Sequence, residues 1–164
     1  MTMRVYVGTY AKYNSGSIEG KWLDLENYAD AGEFYDACRE LHKDEAYPEF
    51  MFQDHEGIPQ SLIGESYIDP AVWELLDLSD DIDTDAALAY VECFGEWDKR
   101  QFYDRYHGHY DSWEDMCEEY LEDTGILAGI QEWARPYFDY EAYANDVRCS
   151  GDYEESDGYF FRNH

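Results

Sequence analysis

Thirty-nine acidic side chains stand against eleven basic ones, a formal net charge of −28, and no other feature restricts the chain so strongly. Like charge opposes compaction by self-repulsion. A small domain is comfortable at a net charge of magnitude roughly 2 to 8. A chain this acidic therefore folds only if it buries enough apolar area to overcome that repulsion. The aromatic residues indicate that it does. Seventeen tyrosines, eight phenylalanines and five tryptophans are far from the aromatic-poor composition of disordered acidic tails. The length of 164 residues allows one or two ordinary domains.

The acidity is not confined to a tail. Residues 1–60 carry 5 basic and 12 acidic side chains, residues 61–108 carry 3 and 12, and residues 109–164 carry 3 and 15. Such a chain lacks the basic footprint that nucleic-acid binding requires. An anionic membrane surface repels it for the same reason. No apolar run approaches the roughly 18 residues of a membrane span. The opening Met1–Gly8 reads as a short strand and not as a leader. Cys38, Cys93, Cys117 and Cys149 are widely spaced and read as reduced thiols. A cytoplasmic protein is expected.

Periodicity predicts an α+β chain. Val5–Tyr10 and Lys21–Leu25 read as strands, with turn chemistry at Tyr13–Ser17. A helix is expected over Asp30–His42, with Phe34, Cys38 and Leu41 on one face, then a strand at Glu49–Gln53. Asp69-Pro70 is a helix start, with Val72, Leu75 and Leu76 forming its apolar stripe. Further helical pieces are expected at Thr84–Cys93 and near Trp97–Tyr106. Tyr106–Tyr110 reads as a strand, Ser112–Thr124 and Asp139–Val147 as helices, and Asp157-Gly158 as a hairpin turn. The expected organisation is three small domains: an α+β domain at 1–60, a helical domain at 61–105 and an α+β domain at 106–164.

Ser112–Thr124 shows the charge pattern most clearly. Trp113, Met116, Cys117, Tyr120, Leu121 and Thr124 follow helical spacing and are expected to be buried. Every charged residue is acidic: Glu114, Asp115, Glu118, Glu119, Glu122 and Asp123. They fall in two rows at i, i+4 spacing, where like charges cost a few tenths of a kcal/mol per pair. Glu122 and Asp123 also sit at the end where the helix dipole disfavours anions. Selection for stability alone would place lysine or arginine there, and broken local rules tend to mark function. Six charges over ten residues amount to one per roughly 2.5 Å of helix axis, close to the one per about 1.7 Å of duplex DNA. With Asp80, Asp81, Asp83, Asp85, Glu92, Asp98 and Asp111, these side chains form the candidate interaction surface.

Other chemistries fit less well. Asp81, Asp83, Asp85 and Glu92 occupy positions 1, 3, 5 and 12 of a calcium loop, but Ala86 stands where that loop needs glycine. Helix capping by Asp83 or Thr84 accounts for the same residues. His107 and His109 lack a third ligand nearby. There is no phosphate-cradling glycine loop, nucleophile elbow or zinc motif. No enzyme, metal or cofactor is expected. Acidity alone also suits a calcium-buffering protein, a haloadapted one, or a mimic of DNA aimed at some other DNA-binding protein.

Particular residues narrow this. Val5-Tyr6-Val7-Gly8-Thr9-Tyr10, Lys12-Tyr13-Asn14, Gly16-Ser17-Ile18 and Gly20-Lys21-Trp22-Leu23-Asp24-Leu25 resemble the opening of the ArdA antirestriction proteins. Residues Ala37–Ala46 and Met51–Asp54 extend the resemblance. Glu122-Asp123-Thr124-Gly125-Ile126-Leu127 and Tyr137–Ala144 resemble the family's antirestriction motif and the helix after it. Gln131, Pro136 and Asn145 depart from the family pattern, which has proline, an aliphatic residue and arginine there. The resemblance implies a dimer formed through the C-terminal region, where Ile126, Leu127, Ile130, Glu132, Tyr137, Phe138, Asp139 and Tyr140 lie. It also implies a curved, elongated chain of the three small domains and a mimic of bent B-form DNA, carried by mobile elements and directed at the DNA-binding core of type I restriction–modification enzymes.

Overall fold

The computed structural model describes all residues from Met1 to His164. The protein is mixed α+β, with two three-stranded antiparallel sheets and helices packed on them. Its contacts group into two compact units, Met1–Trp97 and Asp98–His164.

In the first unit, β1 (Arg4–Thr9) is the central strand, between β2 (Lys21–Asp24) and β3 (Phe50–Glu56). Val5 and Val7 are fully buried. Tyr10 begins a short helix, α1 (Tyr10–Asn14), where the sequence pattern predicted continued strand. The cause is local: the Thr9 hydroxyl accepts the Lys12 N–H at 3.2 Å and caps the turn. Helix α2 (Ala31–Leu41) starts where Asp30 accepts the Glu33 N–H. Phe34 and Cys38 are buried, and Leu41 is half-buried. The Phe34 ring meets Phe52 of β3 at 5.9 Å and Trp73 at 5.7 Å. Trp73 belongs to α3 (Ala71–Leu76) and donates through its indole N–H to the Leu25 carbonyl. Asp69 accepts the Ala71 N–H, the capping expected of Asp69-Pro70. Helix α4 (Thr84–Phe94) buries Ala86, Ala87, Ala89, Tyr90 and Val91.

In the second unit, β4 (Tyr106–His109) and β5 (Tyr153–Ser156) flank β6 (Tyr159–Arg162). The β5–β6 hairpin turns at Asp157 and Gly158, with φ of 51° and 82°. This double left-handed turn is the one Asp-Gly favours. Phe160 and Phe161 are adjacent yet both buried. Neighbouring strand residues point to opposite faces, so this sheet is covered on both sides. Phe161 meets Phe102 of α5 (Lys99–Arg105), which stacks on Tyr106. Phe160 meets Tyr110 and Trp113 on the other face. There α6 (Trp113–Thr124) and α7 (Tyr140–Ser150) close the core with Met116, Cys117 and Ala144.

All four cysteines are free, and Cys149 is exposed. No helix is long and apolar enough to cross a membrane.

Candidate functional site

Helix α6 is built to hold carboxylates in place. The Ser112 hydroxyl accepts the Asp115 N–H at 3.1 Å, and Gly125 ends the helix in the left-handed region at φ 68°. Ser112 and Asp115 stand three apart, the spacing of a capping box, but only half of that box forms. Asp115 makes no return bond to the Ser112 backbone, because aspartate is one methylene shorter than the usual glutamate. Met116, Cys117 and Leu121 are buried, and Trp113 and Tyr120 are half-buried. Thr124, expected in the buried stripe, is exposed, and its hydroxyl donates to the Tyr120 carbonyl.

Glu114, Asp115, Glu118, Glu119, Glu122 and Asp123 are all exposed, and none makes an ion pair. One row is Glu114, Glu118 and Glu122; the other is Asp115, Glu119 and Asp123. The second row has neutral support. The Tyr110 hydroxyl donates to Glu119 at 3.2 Å. Burial, then Glu119, pushes the Tyr110 phenol up, so it stays a donor. His107 is half-buried, and burial and Arg162 hold its imidazole below the ordinary range, against the pull of Glu119 and Asp123. The last turn contains no basic residue.

The remaining acidic candidates fall in two groups. Asp80, Asp81, Asp83, Asp85, Glu92 and Asp111 are exposed. Asp83 accepts the Asp85 N–H and caps α4, in which Ala86 is buried, so the segment is a helix start and not a calcium loop. Asp98 is only half-buried because it caps α5, accepting the Gln101 N–H at 3.0 Å.

The motif residues divide as well. After α6 the chain runs through two short 3-10 turns, Ile126–Gly129 and Glu132–Tyr137, that bury nothing. Ile126 and Tyr137 are 50% and 83% exposed, and Trp133, outside the expected motif residues, is 72% exposed. Glu132 is exposed; Leu127 and Ile130 are half-buried. Phe138 turns back onto Tyr140 and Tyr143 at 5.0 and 5.9 Å, and Asp139 caps α7 by accepting the Ala142 N–H. Pro136 sits inside the second 3-10 turn.

One group has metal-ligand chemistry that the sequence did not suggest: His42, Asp44 and Glu45. Its centre is already filled by a cation. The Lys12 ammonium lies 2.8 Å from His42 Nδ1, 3.0 Å from Asp44 and 3.6 Å from Glu45. His42 Nε2 is 3.0 Å from the Val7 carbonyl, so it donates there and leaves Nδ1 to accept from Lys12. This is an internal ion pair tying α1 to the end of α2. Nor is there a reactive thiol at Cys38, which burial pushes up to about 12.

A comparison with curated proteins gives no match. Residues 5–161 match the family described as Antirestriction protein (ArdA), across both units and all six strands. With nearly its whole length covered, the chain belongs to the ArdA antirestriction protein family.

Proposed function

We propose that the protein is a non-enzymatic antirestriction protein that mimics B-form DNA and competitively blocks the DNA-binding groove of type I restriction–modification enzymes. The carrying observation is α6: six exposed carboxylates without a cationic partner, on a helix anchored by a buried aromatic core. Carboxylates already fixed on an ordered element lose little freedom on binding. They compete for the lysine and arginine groups that neutralise phosphates.

The same reading includes a homodimer in the cytoplasm of the host of a mobile element. Ile126, Trp133 and Tyr137 support the dimer, since three large apolar side chains stand exposed within twelve residues. The elongated three-domain course, with breaks near residues 60 and 105, belongs to this reading too, and small-angle scattering tests it.

The deciding experiment is a type I restriction assay at low and high salt with the purified protein. Inhibition that weakens steeply with salt is expected. Undiminished cleavage at saturating protein sinks the reading.

A further inference from the structure

Where α6 meets α7 and β5, the C-terminal unit holds a cavity of about 220 Å³. Tyr120, Tyr143 and Tyr153 line it together with Met116, Cys117, Val147, Asp152 and the exposed His164. All three rings are half-buried and Asp152 is exposed. We infer that this cavity receives the guanidinium of one arginine side chain of the protein partner, held against tyrosine faces and answered by Asp152.

The inference rests on the DNA-mimic reading for its partner and on local chemistry for its ligand. An aromatic face carries partial negative charge and attracts a cation within about 6 Å of the ring centroid. Burial raises the Tyr143 and Tyr153 phenols and the Cys117 thiol, so these groups remain neutral. Asp152 disfavours an anion and gives a purely apolar ligand nothing to match. The volume lies below the roughly 300–1,000 Å³ of pockets for drug-sized ligands and suits a single side chain. Arginine fits better than lysine because its planar, weakly hydrated head stacks on rings. Arg162 acts on Tyr153 but does not line the cavity. Another cavity of this unit, about 280 Å³ and lined by Trp113, Glu114, Glu141 and Arg148, is different: it already has a guanidinium in its wall. Surface carboxylates reproduce the charge of phosphate, whereas a tyrosine-walled cavity adds a directional contact that duplex DNA lacks.

The test titrates the full chain with N-acetyl-arginine methylamide while the tyrosine ring signals are followed by NMR. It is run at about pH 8, where histidine is neutral. The neutral control is N-acetyl-norleucine methylamide. Saturable shifts of the Tyr120, Tyr143 and Tyr153 rings with the arginine probe alone are expected. Tyr120→Leu should weaken that binding roughly fivefold, and inhibition of a type I enzyme by a similar factor. Unmoved rings, or equal shifts with norleucine, overturn the proposal. So does unchanged inhibition by a Tyr120→Leu variant whose circular dichroism shows it folded. If that variant fails to fold, the titration of the unaltered chain decides. Ring shifts without any inhibition would overturn the DNA-mimic reading and leave the arginine cavity standing.

Discussion

Helices α2 and α6 solve the same packing problem and dress it with opposite charge logic. Each begins at a side-chain cap, lies in a unit with a three-stranded sheet, and buries a short apolar stripe. Around α2 two of the three acids have cationic partners: Arg39 pairs with Asp36, Lys43 with Glu40, and Arg39 stands in the last turn. On α6 there are six acids, no cation, and Glu122 and Asp123 in the last turn. Core packing therefore does not require naked carboxylates, because α2 achieves it without them. α6 achieves the same packing with no cation at all, and it is the helix whose rows approach the charge spacing of DNA.

The comparison breaks most visibly in the core. If α6 is held by packing alone, Phe160→Ala should destabilise the C-terminal unit by about 3–5 kcal/mol. Urea unfolding followed by tryptophan fluorescence measures this. Breaking the Arg39–Asp36 pair with Arg39→Gln should cost only about 0–1 kcal/mol, since both groups are exposed. A similar loss in both variants would mean that charge, not packing, supports the fold.

Next in size is the acidic row. Glu114→Gln, Glu118→Gln and Glu122→Gln together should weaken inhibition of a type I enzyme at least about tenfold. Glu118→Gln alone should change it by less than about threefold, because many weak contacts share the interaction. Asp36→Asn with Glu40→Gln on α2 should leave inhibition nearly unchanged. An equal loss from the α2 pair would erase the functional distinction between the helices.

A smaller effect concerns the dipole. Glu122→Lys with Asp123→Lys should stabilise the protein by about 0.5–1 kcal/mol, read from thermal unfolding, while inhibition falls. Stability and activity moving in the same direction would contradict the view that these acids are retained at a cost to the helix.

The smallest effect is at His107. Its folded pKa is held below the ordinary value of 6.5, chiefly by burial and then by Arg162. A depressed pKa favours the neutral imidazole, so this contribution to stability is present above about 6.5 and is lost as pH falls through the lower folded value. His107→Gln should flatten the stability profile just below pH 6.5. An unchanged profile would show that burial and Arg162 do not hold the imidazole below its ordinary value.

Much of this was legible from local pattern. The α6 caps, the acid rows and the Asp157-Gly158 hairpin follow from spacing and turn chemistry within a few residues. The strand at Tyr106–His109 was also legible, though not its bulge at Gly108, where pairing with β6 shifts. The Lys12–His42–Asp44–Glu45 group was not legible, since its members come from α1 and the end of α2, thirty residues apart. Thr124 was misplaced because helical periodicity predicts a face but not where the neighbouring elements end. The exposure of Trp133 was not legible, because irregular 3-10 turns have no period from which exposure can be read.

By itself the sequence determined that the chain has the aromatic content to fold, that it lacks the basic footprint of a nucleic-acid binder, and that its last third carries the densest negative charge. Composition and short-range spacing suffice for those, because charge excess and helix faces are local properties. Only the tertiary structure decided that α6 keeps its six acids free of ion pairs while α2 pairs two of its three. Only the structure placed three tyrosines from two helices and a strand around one cavity. Both depend on which distant segments pack together, and burial, not spacing, settles whether a charged or aromatic side chain finds a partner.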